Sequence, residues 1–171
     1  MFLKPYPYLL LLCFVFSVCS ERIVQISEIC SKHSNIDNCN KILLSVPGTS
    51  EGADLGSLTS YIINMAHVNA YNSHALISEI IGNTSDAQAK QRYNSCSMDY
   101  NDALLSLTQA KQSYSSGNFA DVKSNGAVVI KDVQDCDTKA YDSSLLRTEN
   151  QYLVDLSTII MILADFLAGK F

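Results

Sequence analysis

Apolar residues recur every three and four positions along two stretches of the chain, residues 93–114 and 119–140. This spacing is typical of a helix that turns one continuous seam towards a core, as in helical bundles. The pattern therefore predicts two amphipathic helices. Their seam positions are Tyr93, Cys96, Tyr100, Ala103, Leu107, Ala110 and Tyr114 in the first stretch, and Phe119, Val122, Gly126, Val129, Val133, Cys136 and Ala140 in the second.

A short turn separates these two stretches. Gly117 suits the left-handed position that ends a helix, and Asn118 is a good N-cap for the helix that follows. The two helices should therefore fold back on each other as an antiparallel hairpin. Facing residues of such a pair have position numbers with a constant sum, and this register places Cys96 opposite Cys136.

Another helix is predicted before this hairpin, over residues 55–82, with apolar residues at helical spacing and a closing Gly82. The next helix, which carries the first seam, should begin at the capping box that Ser85 forms with Gln88. It should extend to about Ser116, a length of roughly 45 Å at 1.5 Å per residue.

The last predicted helix begins at a second capping box, Thr148 with Gln151, and carries leucine and isoleucine at alternating spacings of three and four as far as Leu167. No proline follows Pro47, so nothing later in the chain interrupts a helix. Four helices of comparable length result.

Short connections make consecutive helices antiparallel neighbours. We therefore predict an all-α fold, an up-down-up-down four-helix bundle over residues 51–171 with two disulfides. Residues 21–50 are expected to form an N-terminal helical hairpin and a linker. The linker is the segment SVPGTSEG around residues 45–52, which is rich in turn-forming residues.

Residues 1–20 have the features of a secretory signal peptide, with Lys4, an apolar stretch over residues 8–18 and a small residue, Ser20, before the expected cleavage. The apolar stretch is too short for a membrane span. The apolar run at residues 159–168 is interrupted by Asp165 and is predicted to be a core helix. The expected product is a secreted, extracellular domain of residues 21–171.

Removal of the signal peptide leaves four of the six cysteines, namely Cys30, Cys39, Cys96 and Cys136. An even number in a secreted chain predicts disulfides, and four cysteines allow three pairings. The register of the hairpin selects Cys96–Cys136, which leaves Cys30 to pair with Cys39.

Composition disfavours catalysis and nucleic-acid binding. Without Lys4 the chain has 11 basic and 17 acidic side chains, and this net charge of −6 disfavours binding to nucleic acid or anionic membranes. No G-x-S-x-G motif occurs, and the disulfides leave no free thiol as a nucleophile. His67 and His74 share a helix face but lack the further ligands of a metal site. We expect no catalytic residue, no cofactor and no metal.

Asn83, Thr84 and Ser85 form an N-glycosylation sequon where the first bundle helix gives way to the second. Asn83 is therefore a candidate glycosylation site in a secreted chain. A glycan there would make this end of the bundle unsuitable for binding a partner.

Four short motifs together resemble the plant invertase and pectin methylesterase inhibitor family, including its pollen-allergen relatives. The resemblance covers nearly all of residues 21–171. The motifs are Ile29-Cys30 with Cys39 nine positions later, Tyr93-Asn94-Ser95-Cys96 inside a helix, the Gly117-Asn118-Phe119 turn, and Asp132-Val133-Gln134-Asp135-Cys136 before a tyrosine.

The resemblance implies a non-catalytic four-helix bundle secreted into the plant apoplast. Such a protein forms a one-to-one complex with a cell-wall pectin methylesterase, or with a cell-wall or vacuolar invertase, and blocks the substrate cleft. We expect the free protein to be a monomer. The alternative is a non-inhibitory extracellular bundle, either a structural protein or a carrier of an apolar ligand, and a carrier would have a large internal pocket.

Invertase inhibitors tend to carry Pro-Lys-Phe in the loop between the second and third bundle helices. This chain instead has Ser116, Gly117, Asn118 and Phe119 there, closer to the Gly-Asp-Tyr type of turn common in pectin methylesterase inhibitors. The seam also assigns Phe119 to the core. We take these four residues as a candidate partner-binding turn and favour a methylesterase as the target.

Overall fold

The computed structural model describes residues 22–50, 52–140 and 143–171. The predicted signal peptide, residues 1–20, lies outside the described residues. The elements in chain order are β1 (Ile23–Val24), α1 (Ile26–Cys30), α2 (Ile36–Leu44), β2 (Ala53–Asp54), α3 (Leu55–Asn83), α4 (Ala87–Ser115), α5 (Phe119–Lys139) and α6 (Ser144–Leu167).

Helices α3 to α6 form the bundle. Each packs against the next in the chain, and α6 closes the bundle by packing against α3. The predicted all-α, up-down-up-down architecture is confirmed. Both seams face the interior, and of their 14 members only Tyr114 and Phe119 are partly exposed.

Two disulfides link the four cysteines of the described residues. The structure joins Cys30 to Cys39 with a Cα–Cα distance of 5.5 Å, and Cys96 to Cys136 with a Cα–Cα distance of 4.4 Å. All four cysteines are fully buried. These are the two pairs that the register indicated.

Two helix starts differ from the predicted capping boxes. The N-cap of α4 is Asp86, whose carboxylate accepts a hydrogen bond from the backbone N–H of Gln88, and not Ser85. Helix α6 begins at Ser144 after the N-cap Ser143, about one turn before the predicted Thr148. Both observed caps are as favourable as the predicted ones, so the residue type alone does not decide which of two neighbouring residues caps the helix.

The N-terminal region forms the predicted helical hairpin of α1 and α2, which packs on α6. Asn38 of α2 donates a hydrogen bond to the Asp155 carboxylate of α6, and the buried His33 ring lies 3.9 Å from the same carboxylate. The antiparallel pair β1–β2 was not predicted, because its strands have only two residues each and carry no periodicity.

Among the described residues, helix α6 is the helix that has the length and hydropathy of a membrane span. Of its most apolar stretch, 67% is buried among the other helices. This burial agrees with the prediction of a core helix, since a core helix of a soluble bundle is apolar on most sides.

Helices α5 and α6 approach each other closely at Gly126. A β-carbon at this position would lie 2.9 Å from Cγ of Met161 and 3.3 Å from the backbone oxygen of Ser157. The missing side chain therefore allows the two helices to pack closely, which explains a glycine at a seam position.

We expect Gly126→Val to lower the free energy of unfolding by about 2 kcal/mol, because the added atoms overpack the α5–α6 contact. Gly82→Val is the matched control, since a β-carbon there meets no atom within 4 Å. Its effect should stay within about 0.5 kcal/mol. Urea unfolding of both variants measures the difference, and equal losses would contradict the close-approach explanation.

Candidate protein-binding surface

Helices α4 and α5 form a hairpin that is constrained at both ends. At the open end the Cys96–Cys136 disulfide joins the helices. At the closed end Gly117 adopts a left-handed conformation with φ of 73°, and the Asn118 side chain accepts a hydrogen bond from the backbone N–H of Asp121. A hairpin held at both ends loses little conformational freedom when it binds a partner.

The four residues of the candidate turn are not equally exposed. Ser116, Gly117 and Asn118 are exposed. Phe119 is partly buried, and its ring packs against the core while also lining a groove at this end of the bundle. The seam assigned Phe119 to the core, and the ring does pack against the core but is only partly buried, because it lies at the end of the bundle.

The groove beside this turn has a volume of about 910 Å³. Its walls include Tyr61, Tyr114 and Phe119. The Tyr114 hydroxyl donates a hydrogen bond to the Gly56 carbonyl, so this ring is fixed in place. The groove opens at the end of the bundle and lies outside the core of the four-helix bundle.

One side of the α4–α5 hairpin exposes apolar side chains. Met98 and Leu105 are seven positions apart on α4 and are 67% and 57% exposed, and Val128 on α5 is 41% exposed. The register of the Cys96–Cys136 disulfide places Val128 level with Leu105. Exposed amides and hydroxyls surround the two α4 side chains and come from Asn94, Asn101, Thr108, Gln109 and Gln112.

An acidic group lies on the same side of the hairpin. Its members are Asp99 and Asp102 of α4, and Asp132 and Asp135 of α5. Lys139 donates hydrogen bonds to Asp99 at 2.7 and 2.8 Å, and Lys131 donates one to Asp135 at 2.9 Å. Two lysines against four carboxylates leave this group with a net negative charge. We call the hairpin face the surface formed by Met98, Leu105, Val128, Asp99, Asp102, Asp132 and Asp135.

Asp132 is the most constrained member of the hairpin face. The residue is only 8% exposed, and its Oδ2 atom is buried without a hydrogen-bond partner among the described residues. Burial raises the pKa of Asp132, the charge of Lys131 opposes this, and the charges of Asp102 and Asp99 raise the pKa further.

No group of three or more His, Cys, Asp or Glu side chains in the described part of the chain is placed to hold a metal ion.

We expect Asp132→Asn to raise the free energy of unfolding at pH 7 by about 1 kcal/mol, because it removes a poorly paired buried charge. The folded pKa of Asp132 lies above its ordinary value of 3.8. The favourable contribution of its protonated form is therefore fully present below pH 3.8 and is lost as the pH rises through the folded pKa. The gain from the substitution should shrink as the pH falls towards 3.8.

Asp165 provides a control for which the expected change in stability on substitution has the opposite sign. Its burial raises the pKa, but hydrogen bonds from Lys123 and Lys170, together with their charges, outweigh burial and lower it. Asp165→Asn should therefore lower stability at pH 7, and this loss should shrink as the pH falls. Urea unfolding at several pH values checks both variants, and the same sign for both would contradict the assignment.

Comparison with known proteins decides the family. The sequence model of the plant invertase/pectin methylesterase inhibitor family matches residues 24–163. The chain belongs to this family. A pectinesterase inhibitor of Actinidia deliciosa is 30% identical over 149 residues, which are 85% of this chain and 80% of that relative. Pectinesterase inhibitor 2 of Arabidopsis thaliana is 32% identical over 99 residues, 58% of this chain and 57% of that relative.

Solved structures of the inhibitor family share the fold. A crystal structure of a mutant form of a pectin methylesterase inhibitor from Arabidopsis has a TM-score of 0.76 at 20% identity and covers 82% of this chain and 95% of its own. Another crystal structure, of a pectin methylesterase inhibitor from Arabidopsis thaliana, has a TM-score of 0.65 at 20% identity and covers 83% of this chain and 95% of its own. At this identity the likeness shows the all-α fold.

Membership of the inhibitor family sets the kind of chemistry to expect. The named relatives are inhibitors, and this chain is accordingly not an enzyme. An inhibitor acts through a protein partner, so its functional site is a surface and not a cleft with catalytic groups. Candidates in this member of the family are the hairpin face and the turn formed by Ser116, Gly117, Asn118 and Phe119.

The sequence locates the turn, and the pairing of α4 with α5 as a disulfide-linked hairpin makes their exposed flanks a predicted binding region, but the individual residues of the hairpin face were not singled out. Leu105 and Val128 are apolar residues outside both seams, and this misplacement is the signal that could have identified them. The paired carboxylates Asp99 with Asp102 and Asp132 with Asp135 resemble an ordinary solvated helix face. Only the packing of α4 against α5 shows that all four lie together.

Proposed function

We propose that this chain is secreted into the plant cell wall and inhibits a pectin methylesterase by forming a one-to-one complex that covers the substrate cleft. The main support for this proposal is the 30% identity with a pectinesterase inhibitor over 85% of this chain. Secretion is supported by the signal-peptide pattern of residues 1–20 and by two disulfides, which persist in oxidising compartments.

The turn between α4 and α5 supports a methylesterase over an invertase as the target. It lacks the Pro-Lys-Phe sequence that invertase inhibitors tend to carry. Its only aromatic residue, Phe119, packs against the core and is not free to enter the cleft of an enzyme. The exposed part of the turn consists of small and polar residues.

The hairpin face supplies the binding surface in this proposal. Helix α4 has 29 residues and α5 has 21, so the two run side by side for about 32 Å and have a combined width of about 20 Å. This surface is of the same order as the ~800 Å² that each partner contributes to a standard interface. Exposed apolar side chains at its centre and polar ones around them match the usual anatomy of such interfaces.

The charge of the hairpin face sets the chemistry expected of the partner. Four carboxylates and two lysines favour a partner surface that is basic beside the cleft. The association rate should therefore fall as the salt concentration rises, because screening weakens the long-range attraction.

Titration of the purified domain against a pectin methylesterase and a cell-wall invertase tests the proposal. We expect stoichiometric loss of methylesterase activity at micromolar inhibitor and an unchanged invertase rate. Loss of invertase activity alone would show that the target was assigned wrongly. Unchanged rates of both enzymes, together with no complex in size-exclusion chromatography, would favour the non-inhibitory bundle.

The carrier form of that alternative is disfavoured by the filled interior. Tyr100 and Phe166 are fully buried, and Tyr93 is 4% exposed, so three aromatic rings occupy the space between the seams. A bundle that carries an apolar ligand needs an empty volume there.

A further inference from the structure

The sequon of residues 83–85 spans the C-terminal end of α3. Asn83 is the last residue of α3 and is exposed, and Ser85 is also exposed. Thr84 between them is extended, with φ of −88° and ψ of 138°. The Thr84 hydroxyl oxygen accepts a hydrogen bond from the backbone N–H of Asp86, which helps to hold the turn. The acceptor amide and the required hydroxyl residue therefore both lie at the surface.

We propose that Asn83 carries an N-linked glycan, and that this glycan occupies the α3–α4 end of the bundle on the side away from the hairpin face. The inference rests on the secretion part of the proposed function, because the modification needs passage through the secretory pathway. It identifies a modification site and excludes one end of the molecule from docking.

The chemistry is a transfer of an oligosaccharide from a polyprenyl pyrophosphate donor. Nδ2 of Asn83 forms a bond with the anomeric carbon of the first N-acetylglucosamine. The bond from that carbon to the pyrophosphate oxygen breaks, the amide nitrogen loses one proton, and the polyprenyl pyrophosphate leaves. Ser85 supplies the hydroxyl residue that the sequon requires two positions after the asparagine.

The side of the bundle on which Asn83 lies follows from its position on helix α3. Asn69, Leu76 and Asn83 are separated by seven residues each and share one side of the helix. The Asn69 side chain donates a hydrogen bond to Glu149 of α6, so this side is turned towards α6. Helix α6 packs against α3 and α5, and the hairpin face lies on the opposite side of α4 and α5.

The glycan is also distant along the bundle axis. Helix α4 begins at Ala87, next to the sequon, and the exposed apolar residues of the hairpin face on this helix, Met98 and Leu105, lie 11 and 18 residues further on, about 17 and 27 Å along the axis. The candidate turn at Ser116 lies at the far end. A glycan on Asn83 therefore leaves both candidate binding regions accessible.

Four forms of the full chain test the modification when they are expressed in a plant secretory host. We expect the wild type and Thr84→Ala to exceed their sequence mass and to lose the excess on treatment with a peptide:N-glycosidase. Asn83→Gln and Ser85→Ala should have the sequence mass without treatment. Thr84→Ala is the matched control, because it changes the middle residue and leaves the sequon intact.

A wild-type chain recovered only at its unmodified mass would overturn the proposal, as would a glycan that persists in Asn83→Gln. Mass spectrometry of the tryptic peptides locates the site directly. Enzymatic removal of the glycan converts Asn83 to aspartate, which labels that peptide.

Inhibition assays of the same proteins test the placement. The glycosylated wild type and Asn83→Gln should inhibit pectin methylesterase within about twofold of each other. Ala127→Thr creates a sequon at Asn125 on α5, beside the hairpin face, and a glycan there should block inhibition. Weaker inhibition by the wild type than by Asn83→Gln would refute the placement. Loss of inhibition in every form would refute the proposed function and leave the mass result standing.

Discussion

Replacing both Cys96 and Cys136 with alanine is expected to lower the free energy of unfolding by about 4 kcal/mol, because the disulfide closes a loop of 40 residues in the unfolded chain. Release of this loop raises the conformational entropy of the unfolded state. Urea unfolding of the oxidised wild type and of the double variant measures the loss.

The second disulfide gives the matched control. Cys30 and Cys39 are as fully buried as Cys96 and Cys136, so alanine replaces the same chemistry in an equally dry site. Their separation is only nine residues, and the expected loss is about 1 kcal/mol smaller. A larger loss from the shorter loop would show that loop entropy does not explain the contribution of the α4–α5 disulfide.

Leu105→Asp is expected to raise the inhibition constant against pectin methylesterase about 100-fold, or about 2.7 kcal/mol. Leu105 lies at the centre of the hairpin face, level with Val128 and close to an acidic group. Leu105 belongs to the apolar centre of the face and not to its acidic group, so a carboxylate there would be desolvated against an apolar part of the partner, and repulsion from Asp102 would add to the cost. The melting temperature should stay unchanged, because Leu105 is 57% exposed in the free protein.

Leu145→Asp is the control that distinguishes a loss of binding at the hairpin face from a general effect of adding a surface charge. Leu145 is the same residue type with the same exposure of 57%, but it lies in the first turn of α6, at the opposite end from the α4–α5 turn. An aspartate in a first helical turn is also compatible with the helix dipole. We expect wild-type inhibition from this variant. Equal inhibition by Leu105→Asp and Leu145→Asp would remove the hairpin face from the binding surface.

Helix identity and pairing could be predicted because they depend on periodic, short-range signals. The seam of α4 and α5 recurs over several turns, so single exceptions do not hide it. The turn at Gly117 and Asn118 sets the register, and this register pairs Cys96 with Cys136. Membership of the inhibitor family was also indicated by motifs that lie at these same structural positions.

Helix starts were less predictable because neighbouring residues compete as caps. Ser85 and Asp86 are both good N-caps, and so are Ser143 and Thr148. Residue type does not rank these neighbours, because each of the four side chains can accept a hydrogen bond from the first turn of a helix. The pair β1–β2 was missed for a similar reason, since two-residue strands are stable only against the rest of the fold.

The sequence by itself determined the all-α bundle, the two disulfides and the family, because heptad spacing, capping residues and cysteine positions are local features that repeat or combine along the chain. Tertiary structure alone decided the partial burial of Phe119, the close approach at Gly126 and the raised pKa of Asp132. It also left Leu105 and Val128 exposed on the hairpin face. These properties depend on which side chains from other helices surround a position, and periodicity along one helix does not contain that information.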